Sequence, residues 1–290
     1  MDASIIILTK NAGEGFVALL RCIFSQTFAG SFEVLVIDSG SADDTLVVAQ
    51  TFPTKITRIK PEEFHHGKTR NLGAELATGR ILVYITQDAL PLNENWLQRL
   101  TEHFISPDVA MVVGRQLPWQ GSRPPEKFFC TYYFPGHRIV VTRRDSGCYH
   151  DNVFISDVNS AIRNDIWNQF RFSEKVVMTE DREFANRLLS AGWSVIYEPE
   201  AAVYHAHSFS LREVFRRALD YGTSLRQGAQ GLPMPRQSTP RRLLDYSVAE
   251  AKYLKATRCL NWLPYCIIYD MSRYLGTFLG KYGLAKSKGG

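Results

Sequence analysis

The chain has 290 residues, enough for about two domains or one large domain with an appendage. Apolar residues make up 45% and charged residues 22%, a globular mixture that excludes a wholly disordered, collagen-like or coiled-coil protein. Lys and Arg number 34 against 29 Asp and Glu, a net charge of +5. That excess suits a polyanion, a diphosphate or an anionic membrane surface and selects none of them.

Five cysteines (Cys22, Cys130, Cys148, Cys259, Cys266) form no C-x-x-C pair, which points to reduced thiols in a reducing compartment. The N-terminus Met-Asp-Ala-Ser lacks a basic region, and the apolar run at 5–8 is the length of a strand rather than of a signal peptide. No stretch approaches the ~20 apolar residues of a membrane span; the nearest, 259–269, is interrupted by Asn261 and Pro264. A cytoplasmic protein is expected, attached at most to the membrane surface.

In chain order, 4–9 reads as a buried strand, 16–28 as a helix with Leu19, Leu20, Ile23 and Phe24 in a stripe, and 33–38 as a second strand. A helix at 43–51, a strand at 55–59, a helix at 69–77 and a strand at 81–86 follow. Then come a helix at 93–104 and a strand at 109–115. Apolar strands alternating with helices predict a mostly parallel sheet covered on both faces, a Rossmann-like α/β domain. Residues 116–151 show weak periodicity and read as a long functional loop. Regular structure resumes with a strand at 157–163, helices at 164–170 and 180–190, strands at 195–197 and 202–205, and a basic helix at 211–226. The predicted division is a domain over 1–227, a linker over 228–240 and a helical extension over 241–290.

Ligands of an open parallel sheet bind beyond the carboxyl ends of its strands. Three such ends are polar here: Thr9-Lys10-Asn11, Asp38-Ser39-Gly40-Ser41 and Thr86-Gln87-Asp88-Ala89. Taken singly, Asp38 fits a turn or cap as well as a ligand contact. The first turn holds only Gly13 and Gly15, so a dinucleotide fingerprint is absent, as is a P-loop. A nucleotide bound without a glycine cradle leaves room for a divalent cation on its phosphates. Asp88, just past a strand and before Pro91, is the best hard oxygen ligand for Mg2+ or Mn2+.

Residues 4–9, then Phe32-Glu33-Val34-Leu35-Val36-Ile37-Asp38-Ser39-Gly40-Ser41, then Thr69-Arg70-Asn71-Leu72-Gly73, then Ile85-Thr86-Gln87-Asp88-Ala89-Leu90-Pro91 together resemble the inverting glycosyltransferases of family 2, which have the GT-A fold. The resemblance spans roughly residues 3–225. His65-His66-Gly67-Lys68-Thr69-Arg70-Asn71 with Thr86-Gln87-Asp88-Ala89 is most similar to the rhamnosyltransferase branch, whose donor is dTDP-L-rhamnose. The resemblance implies a nucleotide pocket lined by Thr9, Asn11, Asp38, Arg70, Gln87 and Asp88. It also implies a lipid-linked or growing surface glycan as acceptor. Two departures stand out. The family's Asp-x-Asp is Thr86-Gln87-Asp88 here, without its first acid, and its Asp-Asp after the second strand is Asp38-Ser39.

Glu180-Asp181 opens a helix, where carboxylates suit the macrodipole and simple capping would explain them. The resemblance assigns the general base to Asp181, with Glu180 in support. Neighbouring residues on a helix diverge by about 100°, so the pair does not flank one glycosidic bond as a hydrolase's two acids do. In Ala202-Val203-Tyr204-His205-Ala206-His207, alternation puts His205 and His207 on one side. They fit a half-buried hydrogen-bonded pair or a metal ligand. The resemblance favours His205 as the ligand, with His207 second.

His65, His66 and Lys68 precede a helix N-terminus, suited to phosphate or to a solvated loop. Trp119, Trp167 and Trp193 suit sugar stacking or the core. The aromatic and basic residues between 253 and 282 suit an interfacial helix on the inner membrane surface, a helical cap or a homo-oligomer contact. Nothing points to nucleic acid. Two rival readings remain, a sugar-phosphate nucleotidyltransferase and a non-catalytic glycan-binding scaffold.

Overall fold

The computed structural model of the chain describes residues 1–142, 155–176, 178–228 and 239–284. The first half runs β1 (Ala3–Thr9), α1 (Gly15–Phe24), β2 (Phe32–Asp38), α2 (Thr45–Gln50), β3 (Thr54–Arg58), α3 (His66–Leu76) and β4 (Ile81–Ile85). It continues with β5 (Leu90–Pro91), α4 (Trp96–Thr101), β6 (Val109–Leu117), α5 (Pro124–Tyr133) and β7 (Ile139–Val141). The second half holds β8 (Asn159–Arg163), α6 (Asn164–Phe170), α7 (Glu180–Ser190), β9 (Ser194–Tyr204), α8 (Leu211–Gly228), α9 (Thr239–Ala256) and α10 (Leu263–Lys281).

The strands form one sheet in the order β3-β2-β1-β4-β8-β6-β9-β5, with β7 also on β9. β3, β2, β1 and β4 are parallel, and β6 and β9 are parallel. β8 runs antiparallel to both neighbours, β4 and β6. The sheet is therefore mixed, and β8 brings its amino end to the edge where β4 ends. Alternation along β1 divides the core: Ile6 joins Tyr84, Trp167 and Phe184 on one face, while Ile5 and Ile7 join Leu19, Val36 and Trp96 on the other.

Several sequence expectations are corrected. Residues 116–151 are not a plain loop: α5 and β7 lie within them, and residues 143–151 lie outside the described residues. The Pro124-Pro125 start, closed by Glu126 on the Arg123 N–H at 2.6 Å, is an N-terminal signal hidden by the surrounding aromatic residues. The two strands expected at 195–197 and 202–205 are one, β9, with its register shifted opposite Gly114 and Arg115. The first helix stops at Phe24 rather than Phe28, because Ser25 and Gln26 side chains both donate to the Cys22 carbonyl and draw off its hydrogen-bonding capacity. Trp167 is core, its indole N–H donating to Asn71 Oδ1 at 3.1 Å. Cys22, Cys130, Cys259 and Cys266 are free thiols; Cys148 and most of the expected linker lie outside the described residues.

The C-terminal helices pack on the rest of the protein. Tyr246 of α9 lies against Phe128 and Tyr132 of α5, with ring centroids 4.9 and 5.0 Å away. α10 runs against α8 at backbone contact: a Cβ on Gly276 would lie 2.5 Å from the Phe215 carbonyl oxygen, and one on Gly280 2.1 Å from that of Leu219.

One buried amide clamps the reversal of the sheet. Asn159 Oδ1 accepts from the Trp96 indole at 2.8 Å, and Asn159 Nδ2 donates to the Ala201 carbonyl at 2.7 Å. Asn159→Ala leaves a buried donor and a buried acceptor unpaired, a cost of about 2–4 kcal/mol. The urea midpoint should fall accordingly; an unchanged midpoint would remove Asn159 as the clamp.

Candidate active site

The site is built where β1, β2 and β4 end. Side chains lace the first two loops. Asn11, at φ 49°, donates its N–H to Ser41 Oγ (2.8 Å) and accepts from the Ala42 N–H at Oδ1 (2.8 Å). The Ala12 N–H donates to Thr45 Oγ1 and the Gly13 N–H to Asp43 Oδ2. Gln87 clasps Lys10 from β4's side, accepting from its N–H at 2.8 Å and donating to its carbonyl at 3.2 Å. A neutral side-chain amide can accept and donate at once, which a carboxylate cannot.

Asp38 is fully buried. Its carboxylate accepts from Thr9 Oγ1, from the Gly40 and Ser41 N–H groups and from Ser41 Oγ at 2.5 Å. Thr9 and Asp38 thus shape the floor of the site, and exposed Asn11 stands at its rim. Arg70 binds two acids that are distant from it in the sequence. It is 7% exposed, with its guanidinium paired to Glu180 and its Nε 3.4 Å from Asp157 Oδ2.

Asp157 was read only as the start of a strand. It is 1% exposed. Burial holds its carboxyl well above the usual range, Asp181 adds to that and Arg70 opposes it. Its Oδ1 accepts from Ser160 Oγ at 2.7 Å, while its Oδ2 has no hydrogen-bond partner among the described residues. The Asp157 N–H donates to Asp181 Oδ2 at 3.2 Å, and Asp181 Oδ1 accepts from the Arg182 N–H at 2.7 Å. Asp181 is partly exposed and Glu180 is buried. Thr179, just before them, has φ 74°, a strained backbone for a β-branched residue of the kind found at functional sites.

The third group forms where β5 pairs with β9. Leu90 lies opposite Tyr204, so Asp88 and the residues after Tyr204 meet. His205 Nε2 is 3.6 Å from Asp88 Oδ1, and His207 Nε2 is 3.4 Å from Asp88 Oδ2. The sequence left the choice between the histidines open; the fold brings both to Asp88. His205 Nδ1 lies 3.0 Å from Gln116 Oε1, which assigns the proton to Nδ1 and leaves Nε2 free for a ligand. Burial lowers both imidazole pKa values despite Asp88, keeping them neutral at pH 7, the ligating form. The three ligand atoms lie within 4.8 Å of one another, so they fit a divalent cation. On the other side His207 stacks on Phe209 (4.9 Å), and the Arg217 guanidinium lies 4.5 Å from the centre of that ring. A second cluster, Glu102, His103 and Glu198, is an ion-pair network: Glu198 Oε2 is held by His103 and Arg138 at 2.7 and 2.6 Å, and its Oε1 by the Glu200 N–H.

The Asp88 and Asp181 groups share one edge. The Thr86 N–H donates to the Val158 carbonyl at 3.2 Å, next to the Asp157 N–H that holds Asp181. Asp157, Gln116 and Arg217 are the site residues sequence reasoning missed. Asp157 had a signal, a carboxylate just before a strand as Asp88 lies just after one; Gln116 had none, because only β6–β9 register brings it to His205.

Known proteins resemble this chain in sequence and fold. A model of "Glycosyl transferase family 2" matches residues 4–168, more than half of the chain. The chain is 29% identical over 286 residues to the O-antigen chain rhamnosyltransferase RfbN of Salmonella typhimurium, covering 97% of this chain and 90% of that protein. It is 27% identical to the O-antigen chain rhamnosyltransferase WbaN of Salmonella anatum, covering 96% and 89%. In fold it is similar to the mannosyltransferase PcManGT from Pyrobaculum calidifontis, solved with GDP-Man and Mn2+: the TM-score is 0.64 at 19% identity, over 98% of this chain and 88% of that one. With the family model matched over more than half of its length and a fold shared with solved glycosyltransferases, the chain belongs to glycosyltransferase family 2, with the GT-A fold.

Proposed function

We propose that this protein transfers L-rhamnose from dTDP-L-rhamnose, with inversion, onto a lipid-linked or growing surface polysaccharide of the O-antigen kind, using Mg2+ or Mn2+. The observation that carries the reading is the meeting of Asp88, His205 and His207 at the sheet edge where the Asp181 carboxylate is also held. The two Salmonella relatives, named as O-antigen rhamnosyltransferases and matched over nearly their whole length, support the sugar and acceptor class.

Asp88, His205 and His207 would hold the cation, and two imidazoles in the set suit Mn2+ better than Mg2+, which takes oxygen donors. The bound cation supplies Lewis acidity for the departing diphosphate. Gln87 and Asn11 keep the first two loops in register for the nucleotide. Arg217 adds positive charge beside the diphosphate. Asp181, with both oxygens oriented by backbone N–H groups, takes the acceptor hydroxyl's proton as that oxygen bonds to the anomeric carbon and the bond to the diphosphate breaks. Glu180 acts indirectly, fixing the first turn of α7 through Arg70.

The nucleotidyltransferase reading calls for a glycine-rich, arginine-containing loop after the first strand, and residues 10–13 supply neither. A scaffold would bind neither metal nor nucleotide. Calorimetry with dTDP, with and without Mn2+, separates these: binding should depend on the cation, and cation-independent or absent binding would overturn the metal role. Gln116→Ala should weaken Mn2+ binding by about tenfold or more by freeing the His205 ring; an unchanged Mn2+ titration would remove Gln116 from that role.

Asp181→Asn should lower kcat by about 10²–10⁴-fold while dTDP affinity stays within twofold. Near-normal turnover would exclude Asp181 as the base. Among a panel of nucleotide sugars, dTDP-L-rhamnose should be hydrolysed fastest in the absence of acceptor; preference for another donor would overturn the sugar assignment and leave the mechanism standing.

A further inference from the structure

α10 is built inside out. Its outward face is apolar: Ile267, Ile268, Met271, Leu275, Phe278 and Tyr282 are between 40% and 59% exposed and recur at helical spacing. Its two charges away from the C-terminal end point inward. Asp270 is buried, accepts from Ser247 Oγ of α9 at 3.3 Å and lies 3.6 Å from Arg273. The Arg273 guanidinium lies 4.5 Å from the centre of the Tyr246 ring. A soluble surface helix shows the opposite arrangement, and an apolar face this continuous marks a contact surface. Rotation cannot hide it, because Gly276 and Gly280 bring α10 to backbone contact with α8, and a Cβ on Gly222 of α8 would lie 2.2 Å from the Thr277 carbonyl oxygen.

Charge identifies the occupant. From residue 207 onward there are fourteen Lys and Arg against five Asp and Glu, a net +9, whereas residues 1–206 carry twenty against twenty-four, a net −4. On α9, Leu244, Val248, Lys252 and Lys255 fall on one exposed face, and exposed Arg258 and Leu260 lead into α10. A second copy of the chain would bring a second cationic excess to the same interface. An anionic bilayer neutralises it and takes up the apolar stripe.

We propose that the outer face of α10, with the basic face of α9, docks on a bilayer containing anionic phospholipid, the helices lying along the surface. No helix among the described residues is long and apolar enough to cross a membrane. The helix that α10 packs on reaches the site: on α8, Tyr221 Oη accepts from Arg182 at 2.6 Å and Ser224 Oγ accepts from the Met178 N–H at 3.1 Å, bracing the turn that leads to Asp181. The surface stands on exposure, packing and charge, whichever donor the site takes.

The test is flotation of the purified full chain with vesicles of phosphatidylcholine alone or with 30% phosphatidylglycerol. The chain should float with the anionic vesicles only. Met271→Asp combined with Leu275→Asp should abolish flotation while the circular dichroism spectrum and donor hydrolysis in solution are retained. Removing Lys252 or Lys255 should weaken binding about fivefold each. Failure of the wild-type chain to float, or equal flotation by the double variant, would overturn the proposal. A dimer in light scattering that the double variant converts to monomer, without flotation, would assign the face to a second copy instead.

Discussion

A single buried guanidinium organises the edge of the sheet that carries Asp181. Arg70, on α3, sits between Glu180 at the start of α7 and Asp157 just before β8. Each of these acids adjoins the means of holding Asp181: Glu180 precedes it in the chain, and Asp157 donates its N–H to it. Burying a guanidinium and two carboxylates is costly unless they compensate one another. Three segments far apart in sequence are therefore constrained to arrive together. Asp157 Oδ2, buried with the Arg70 ion pair but no hydrogen bond among the described residues, and the left-handed Thr179 show that this edge is held at some expense in local stability.

The cluster of Asp88, His205 and His207 depends on a different constraint, strand register. β9 pairs with β6 along its length, and its end also pairs with the two-residue β5. The first pairing sets Gln116 beside His205, with the His205 N–H donating to the Leu117 carbonyl at 2.9 Å. The second sets Asp88 against both histidines. A one-residue slip of β9 would turn the imidazoles to the other side of the strand. Gly114 allows the close approach, since a Cβ there would lie 2.1 Å from the Ala201 carbonyl oxygen.

The C-terminal helices join the two groups to the molecule's outer surface. α8 touches the turn before Asp181 through Ser224 and carries Arg217 beside Phe209 and His207. The same helix packs backbone-to-backbone against α10. Arg123, at the start of α5, donates to the Phe209 carbonyl and to Tyr265 Oη of α10, so the segment carrying the histidines is pinned from that side too. This continuity explains why the extension does not stand apart from the α/β body.

Local sequence determined the alternation of strands and helices, the polar strand ends, the acidic start of α7 and the paired histidines. Each follows from short-range rules: apolar runs bury, alternation selects a face, and acids favour a helix N-terminus. Tertiary structure alone decided that β8 runs antiparallel, that α5 and β7 form within the aromatic stretch after β6, and that Arg70 pairs with two acids. It also decided that both histidines, not one, face Asp88, and that α10 turns its apolar side outward. These are matters of pairing, register and rotation between segments distant in the chain. Such choices are set by which buried charges and backbone groups find partners, and no local window of sequence contains both halves of a pair.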